Sequence, residues 1–240
     1  MRWITFVCLM VFIGFLEASP SSDLYESQHE YALPLDHPAR SILDNLFSSP
    51  KTLQTQRGFE KKGFFILYYR PSTLIVAKHS ALPGYLIKVY LGSSTRSREE
   101  NLENLVNRCK GAENIRNLIR QEKLSYFTVP DKWIYTTNTE EPMPVLLVTH
   151  VDVVSKEESK YAWKKFITYK GLEELYCIIS HGYASTLLPA NIPYTRGGKF
   201  ACIDTEQPQR IPRYPNVKKH ISKEMGVYWD DLVRLGEDAP

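Results

Sequence analysis

The sequence predicts an α+β fold in which an antiparallel sheet carrying one long helix is followed by a shorter, mostly helical part. Three observations predict it. Runs of β-branched and aromatic residues separated by turn residues fill Gly63 to Leu91; apolar residues then recur at helical spacing from Glu99 to Glu122; two more β-runs precede a second helical stretch from Lys156. The 240 residues, 43% hydrophobic and 24% charged, suffice to bury a core without disulfide support, and their composition excludes disorder, collagen and coiled coil. With 30 Lys and Arg against 27 Asp and Glu, the net charge of +3 is too small to mark a nucleic-acid partner.

Residues 1–18 read as a signal peptide. Arg2 precedes an apolar run from Trp3 to Leu16 that is shorter than the roughly 20 residues of a membrane-spanning helix, and Ala18 supplies a small residue before a cleavage site. The chain is therefore expected to be exported or secreted, with no transmembrane span after cleavage; an uncleaved N-terminal membrane anchor is the alternative. Loss of this segment removes Arg2, Glu17 and Cys8, leaving the charge at +3 and three cysteines, Cys109, Cys177 and Cys202. An odd number leaves at least one free thiol, so disulfides do not organise the fold. Residues 19–50, rich in Ser, Pro, Asp and Glu, read as a flexible leader with one short helix near Ile42 to Phe47.

A β-rich region, 51–154, follows. Phe64 to Tyr69, Thr73 to Lys78 and Tyr85 to Leu91 are separated by Arg70-Pro71-Ser72 and by Ala81-Leu82-Pro83-Gly84, which predicts an antiparallel meander. In the helical stretch beyond it, Leu102, Leu105, Val106, Cys109, Ile115, Leu118 and Ile119 make an apolar stripe, and Gly111 is expected to divide or bend the helix. Trp133 to Thr137 and Val145 to Val151 add two strands. In the region 155–240, Lys156 to Ile179 reads as one helix weakened at Gly171; a hairpin around Gly197-Gly198, a strand from Phe200 to Ile203 and a helix near Trp229 to Leu235 complete it.

Four residues carry candidate chemistry. Lys88 lies within Tyr85-Leu86-Ile87-Lys88-Val89-Tyr90-Leu91, where strand alternation puts it opposite to Ile87 and Val89. Glu113 continues the helix stripe of Val106 and Cys109 at steps of three and four, with Glu103 as the competing helix glutamate. Leu187-Leu188-Pro189-Ala190-Asn191-Ile192 precedes Lys199-Phe200-Ala201-Cys202-Ile203-Asp204-Thr205-Glu206, so that Asn191 and Asp204 stand 13 positions apart around a hairpin. Asn and Asp oxygens suit Mg²⁺, a hard cation that takes oxygen donors and nucleotide phosphates.

This order of elements and residues resembles the protein-kinase-like fold, including its aminoglycoside-phosphotransferase branch, from about Phe64 to Glu206. The resemblance implies two lobes, an antiparallel N-lobe sheet with one helix and a shortened, mostly helical C-lobe. It also implies that Lys88 and Glu113 bind ATP while Asn191 and Asp204 hold magnesium. The expected catalytic aspartate has no counterpart. Counting back from Asn191 puts Thr186 there; aligning His181-Gly182-Tyr183 with the His-Gly-Asp of the phosphotransferase branch puts Tyr183 there. Neither side chain acts as a carboxylate does. No Gly-rich phosphate loop is present, Thr205-Glu206 follows Asp204, and only 36 residues remain after it.

The expectation is therefore an exported pseudokinase that binds nucleotide and Mg with weak phosphotransfer or none. An exported interaction module on the same scaffold, with a protein partner, is the alternative. An active phosphotransferase would need an unconventional base, His181 or Asp152. His150 with Asp152 as metal ligands, and Cys177 with His181 as a thiol–imidazole pair, are lesser candidates.

Overall fold

The fold is known from a computed structural model that describes residues 26, 28–70, 74–91, 97–183, 186–205 and 211–237; the expected signal peptide, 1–18, and the start of the expected leader lie outside them. Strands β1 (Phe65–Arg70), β2 (Leu74–Lys78) and β3 (Tyr85–Tyr90) form the expected meander. A 24-residue helix, designated α3 (Arg98–Gln121), follows, and the chain returns through the two-residue β4 (Phe127–Thr128) to β5 (Lys132–Thr136) and β6 (Pro144–Thr149). The antiparallel sheet runs β1-β2-β3-β6-β5, so β3 is central.

Alternation on β3 decides which face meets which layer. Ile87 and Val89, 1% and 0% exposed, join Ile75, Ala77 and Leu147 in one cluster. Leu86 and Tyr90 point the other way, into a cluster with Leu102, Leu105, Val106 and Cys109 of α3. Lys88, between them, shares the face that α3 covers.

From residue 28 onward the leader is built into the sheet rather than loose. Before β1 lie α1 (Arg40–Leu46), a 3₁₀ turn (Pro50–Leu53) and α2 (Gln56–Lys61). Leu33, Leu43, Phe47, Leu53 and Phe59 are all at most 2% exposed and cover the Ile87 face. Leu33 N–H donates to Ile134 O and Ile134 N–H to Tyr31 O, both at 2.8 Å, so residues 31–33 line the outer edge of β5. At about 25 cal/mol per Å² of apolar surface, the three of these that belong to the leader, Leu33, Leu43 and Phe47, outweigh the polar composition that suggested it was flexible.

Two glycines act differently from expectation. Gly111 leaves α3 unbroken, the helix being started by a reciprocal cap of Ser97 and Glu100. The stretch from Lys156 is two helices, α4 (Lys156–Lys165) and α5 (Tyr169–Ser180), divided before Gly171, because Thr168 caps α5 by accepting from Gly171 N–H at 3.1 Å.

The remaining elements are β7 (Phe200–Ala201), α6 (Pro215–Lys218) and α7 (Lys223–Glu237). Their core unites Leu172, Leu175, Ile178 and Ile179 of α5 with Trp163, Phe200 and Trp229, and receives Ile115 and Leu118 from the second half of α3. Buried Glu174 fixes the entry to β4: its carboxylate accepts from Ser125 N–H, Ser125 Oγ and Tyr126 N–H at 2.8–3.0 Å. That holds β4 in parallel register with β7, Phe127 facing Phe200.

Candidate functional site

The candidate site forms where α3, β3, β5 and the segment after β7 meet. Trp163 Nε1 donates to Ile192 O at 2.9 Å, Ala201 N–H to Pro193 O at 2.8 Å and Ile203 N–H to Asn191 O at 3.0 Å. These bonds lay the Asn191 loop alongside residues 201–203, which brings the backbone of Asn191 next to the approach to Asp204.

Asp204 is held from above by α3. Arg108 Nη1 lies 2.5 Å from Asp204 Oδ1; the Arg108 side chain is 5% exposed and that of Asp204 is 34% exposed. Burial raises the Asp204 carboxyl, but Arg108 first, then Lys88 and Lys132, outweigh it and hold it below the usual aspartate value. The charge of Lys88 also acts on Lys132, lowering its ammonium pKa as it lowers the Asp204 carboxyl.

The next residue, Thr205, is the pin. Its hydroxyl donates to Arg108 O at 2.6 Å and accepts from Lys132 Nζ at 2.6 Å, while Lys132 Nζ also donates to Ile203 O at 3.3 Å. Gly111 explains the close approach: a Cβ built there would fall 3.0 Å from Thr205 Cβ and nearer still to its carbonyl oxygen. Lys132 is 6% exposed; burial, then the charges of Lys88 and Arg108, push its ammonium pKa well below the usual lysine value.

The predicted residues thus separate. Lys88 and Asp204 share one electrostatic neighbourhood, and Asn191 borders it through its backbone. Glu113 is engaged elsewhere: its Oε2 accepts from Tyr31 Oη at 2.8 Å, tying α3 to the chain at the β5 edge. The side chain of α3 that reaches Asp204 is Arg108, which sequence reasoning missed. Its signal was present, since Arg108 and Gly111 are three residues apart and so share a helix face on which a glycine permits close packing.

The candidates for the missing base lie in their own segments. His181 Nδ1 donates to Cys177 O at 2.7 Å, and its ring lies 5.5 Å from that of half-buried Tyr183. Thr186 is buried. Asp152 pairs with exposed Arg196 at 3.4 Å. His181 meets the carbonyl of Cys177, not its thiol, and burial raises that thiol pKa, so the pair lacks the geometry of a thiol–imidazole catalyst. Burial pushes Cys109 and Cys202 up to about 12, values of unreactive thiols. Among the described residues no three His, Cys, Asp or Glu side chains gather as metal ligands, and no helix is long and apolar enough to cross a membrane.

A divalent cation at Asn191 and Asp204 would need the Asp204 carboxylate oxygens. One of these already accepts from a buried guanidinium, and Lys88 adds a second positive charge nearby. This donor set fits magnesium poorly. No protein-family model matches the chain, and no curated protein matches it significantly.

Proposed function

We propose that this chain is an exported protein on a kinase-like scaffold that binds a nucleotide beside Asp204 and catalyses phosphotransfer weakly or not at all. The observation that carries this reading is the pairing of Arg108 of α3 with Asp204 beneath the sheet face on which the central strand carries Lys88, whose charge helps lower the Asp204 carboxyl pKa. It is supported by the sheet order β1-β2-β3-β6-β5 with one long helix inserted after β3, followed by a short helical part. That is the arrangement expected of a kinase-like N-lobe and a reduced C-lobe. Export rests on the sequence of residues 1–18.

Weak catalysis follows from the side chains at the expected base positions. Thr186 and Tyr183 cannot take a proton from an acceptor hydroxyl at neutral pH, and such a group is worth about 10²–10⁴-fold in rate. Thermal unfolding of the purified chain tests the reading: ADP or ATP at millimolar concentration is expected to raise Tm by several degrees, without measurable transfer of labelled γ-phosphate. An unchanged Tm with both nucleotides would refute it.

A second reading, an interaction module with a protein partner, is favoured by one observation. On the edge strand β1, Phe65, Leu67, Tyr68 and Tyr69 are 38–61% exposed, a concentration of apolar surface on a strand that pairs on one side only among the described residues. Replacing Leu67 and Tyr68 by Lys is expected to abolish partner binding while leaving the nucleotide-induced Tm shift intact. Partner binding that survives the substitution would count against β1 as the docking strand.

A further inference from the structure

We propose that the outward face of α7, together with Tyr169 at the start of α5, docks an amphipathic helix of a protein partner that carries an arginine at each end of a short apolar stripe. This surface shares no residue with the Asp204 site or with β1, and the inference does not depend on the nucleotide reading. It is carried by a groove of about 630 Å³ lined by Tyr169, Glu224, Val227, Tyr228 and Asp231.

Two stripes run along α7. Met225, Tyr228, Trp229 and Leu232 pack on the core, where Trp229 is 1% exposed. Glu224, Val227, Tyr228 and Asp231 follow at i, i+3, i+4 and i+7, and so make a second stripe, shared with the first at Tyr228 and turned to the groove. Val227 is 61% exposed there, and Tyr169 is 44% exposed. Helix rise puts the two carboxylates about 10 Å apart, at either end of Val227 and Tyr228.

The lining selects the occupant. Among the described residues it holds two carboxylates and no cation. The tyrosine rings meet at 71° with centroids 4.7 Å apart; Tyr169 Oη donates to Glu224 Oε1 at 2.5 Å and Tyr228 Oη to Glu173 Oε1 at 2.7 Å, so both rings are fixed before a partner arrives. A guanidinium stacks on a tyrosine face and pairs with carboxylate at once, which a compact ammonium does less well. Arg234 lies outside the lining and pairs with Asp231 at 2.9 Å, but the two side chains are 70% and 52% exposed, and such a surface pair is weak enough to yield. The complement of acid, apolar, aromatic and acid along α7 is a helix with arginines at i and i+7 and apolar residues at i+3 and i+4. Nucleic acid or an anionic bilayer would meet two like charges instead.

Fluorescence anisotropy of a labelled alanine-based helical peptide, with arginine at i and i+7 and leucine at i+3 and i+4, titrated with the full chain, tests this. Saturable binding with a Kd below millimolar is expected. The same peptide with citrulline for both arginines, close in shape but neutral, is expected to bind at least about tenfold more weakly. Glu224→Gln combined with Asp231→Asn keeps an acceptor for the Tyr169 hydroxyl and should weaken the arginine peptide about tenfold, whereas Arg234→Gln frees Asp231 and should strengthen it about twofold. Equal binding of the citrulline peptide, or no binding of the arginine peptide at millimolar chain, would overturn the inference and leave the nucleotide reading untouched. Sedimentation is the companion measurement: a wild-type dimer that the double variant dissociates would put a second copy in the groove and overturn the partner assignment. The citrulline comparison needs no variant, so it stands whether or not the variants fold.

Discussion

Arg108 and Asp204 join the middle of α3 to the residue that ends the β7 segment through an ion pair of unequal burial, with the cation 5% and the anion 34% exposed. Removal of either partner is therefore expected to have unequal consequences. Asp204→Ala takes an ion-pair partner from a buried guanidinium and should cost about 3 kcal/mol. Arg108→Met leaves a carboxylate in contact with water and near Lys88, and should cost about 1–2 kcal/mol. Urea unfolding of the two variants measures the difference; equal losses would show that exposure does not set the cost.

Acid stability should report the same pair. The folded-state pKa of Asp204 lies below its unfolded value, so the unfolded chain binds the proton first as pH falls. The stabilisation is complete above the unfolded value of about 3.9 and is lost as pH drops through the folded one. Asp204→Asn should flatten the wild-type acid limb below about pH 4. An unchanged limb would mean that other carboxylates govern it.

Lys132 gives the opposite test at alkaline pH. Its ammonium pKa is pushed well below the usual lysine value, so between the folded and unfolded values the unfolded state holds more protons and wild-type stability rises with pH. Lys132→Met keeps the apolar stem and removes the titrating group. Wild-type stability minus that of the variant should increase from pH 7 towards pH 10, by at most about 1.4 kcal/mol per pH unit. A flat difference would contradict the assignment.

Gly111→Ala sets helix propensity against packing. In an exposed helix the change would stabilise by about 1 kcal/mol. Here the new methyl meets Thr205, so α3 and the Asp204 segment must separate, and a net loss of about 2 kcal/mol is expected, with weakened ADP binding. A rise in Tm would show that the two elements can part without consequence.

Glu113 and Arg108 can be distinguished directly. Glu113 accepts from Tyr31, so Glu113→Gln should lower stability by about 1 kcal/mol and leave the ADP-induced Tm shift within error. Loss of the shift in Glu113→Gln would return Glu113 to the ligand site, as the resemblance to kinases had implied.

The sheet was legible because its signals are local. Alternation in Tyr85 to Leu91 and the turn residues before it are enough to make the meander and to set Lys88 apart from Ile87 and Val89. The leader was not, because its few apolar residues are diluted by Ser, Pro and acidic residues, and only the packed structure shows Leu43 and Phe47 filling the core. At the site, Asp204 and Asn191 stood out by spacing, whereas Arg108 and Thr205 did not. Their roles depend on a helix and a strand end, 96 residues apart, meeting where Gly111 lets them, and no local pattern encodes that meeting.

The most direct measurement is a crystal structure of the chain grown with ADP at millimolar concentration. Nucleotide density beside Asp204 is the predicted result. Density for ADP elsewhere, or none at this concentration, would contradict it.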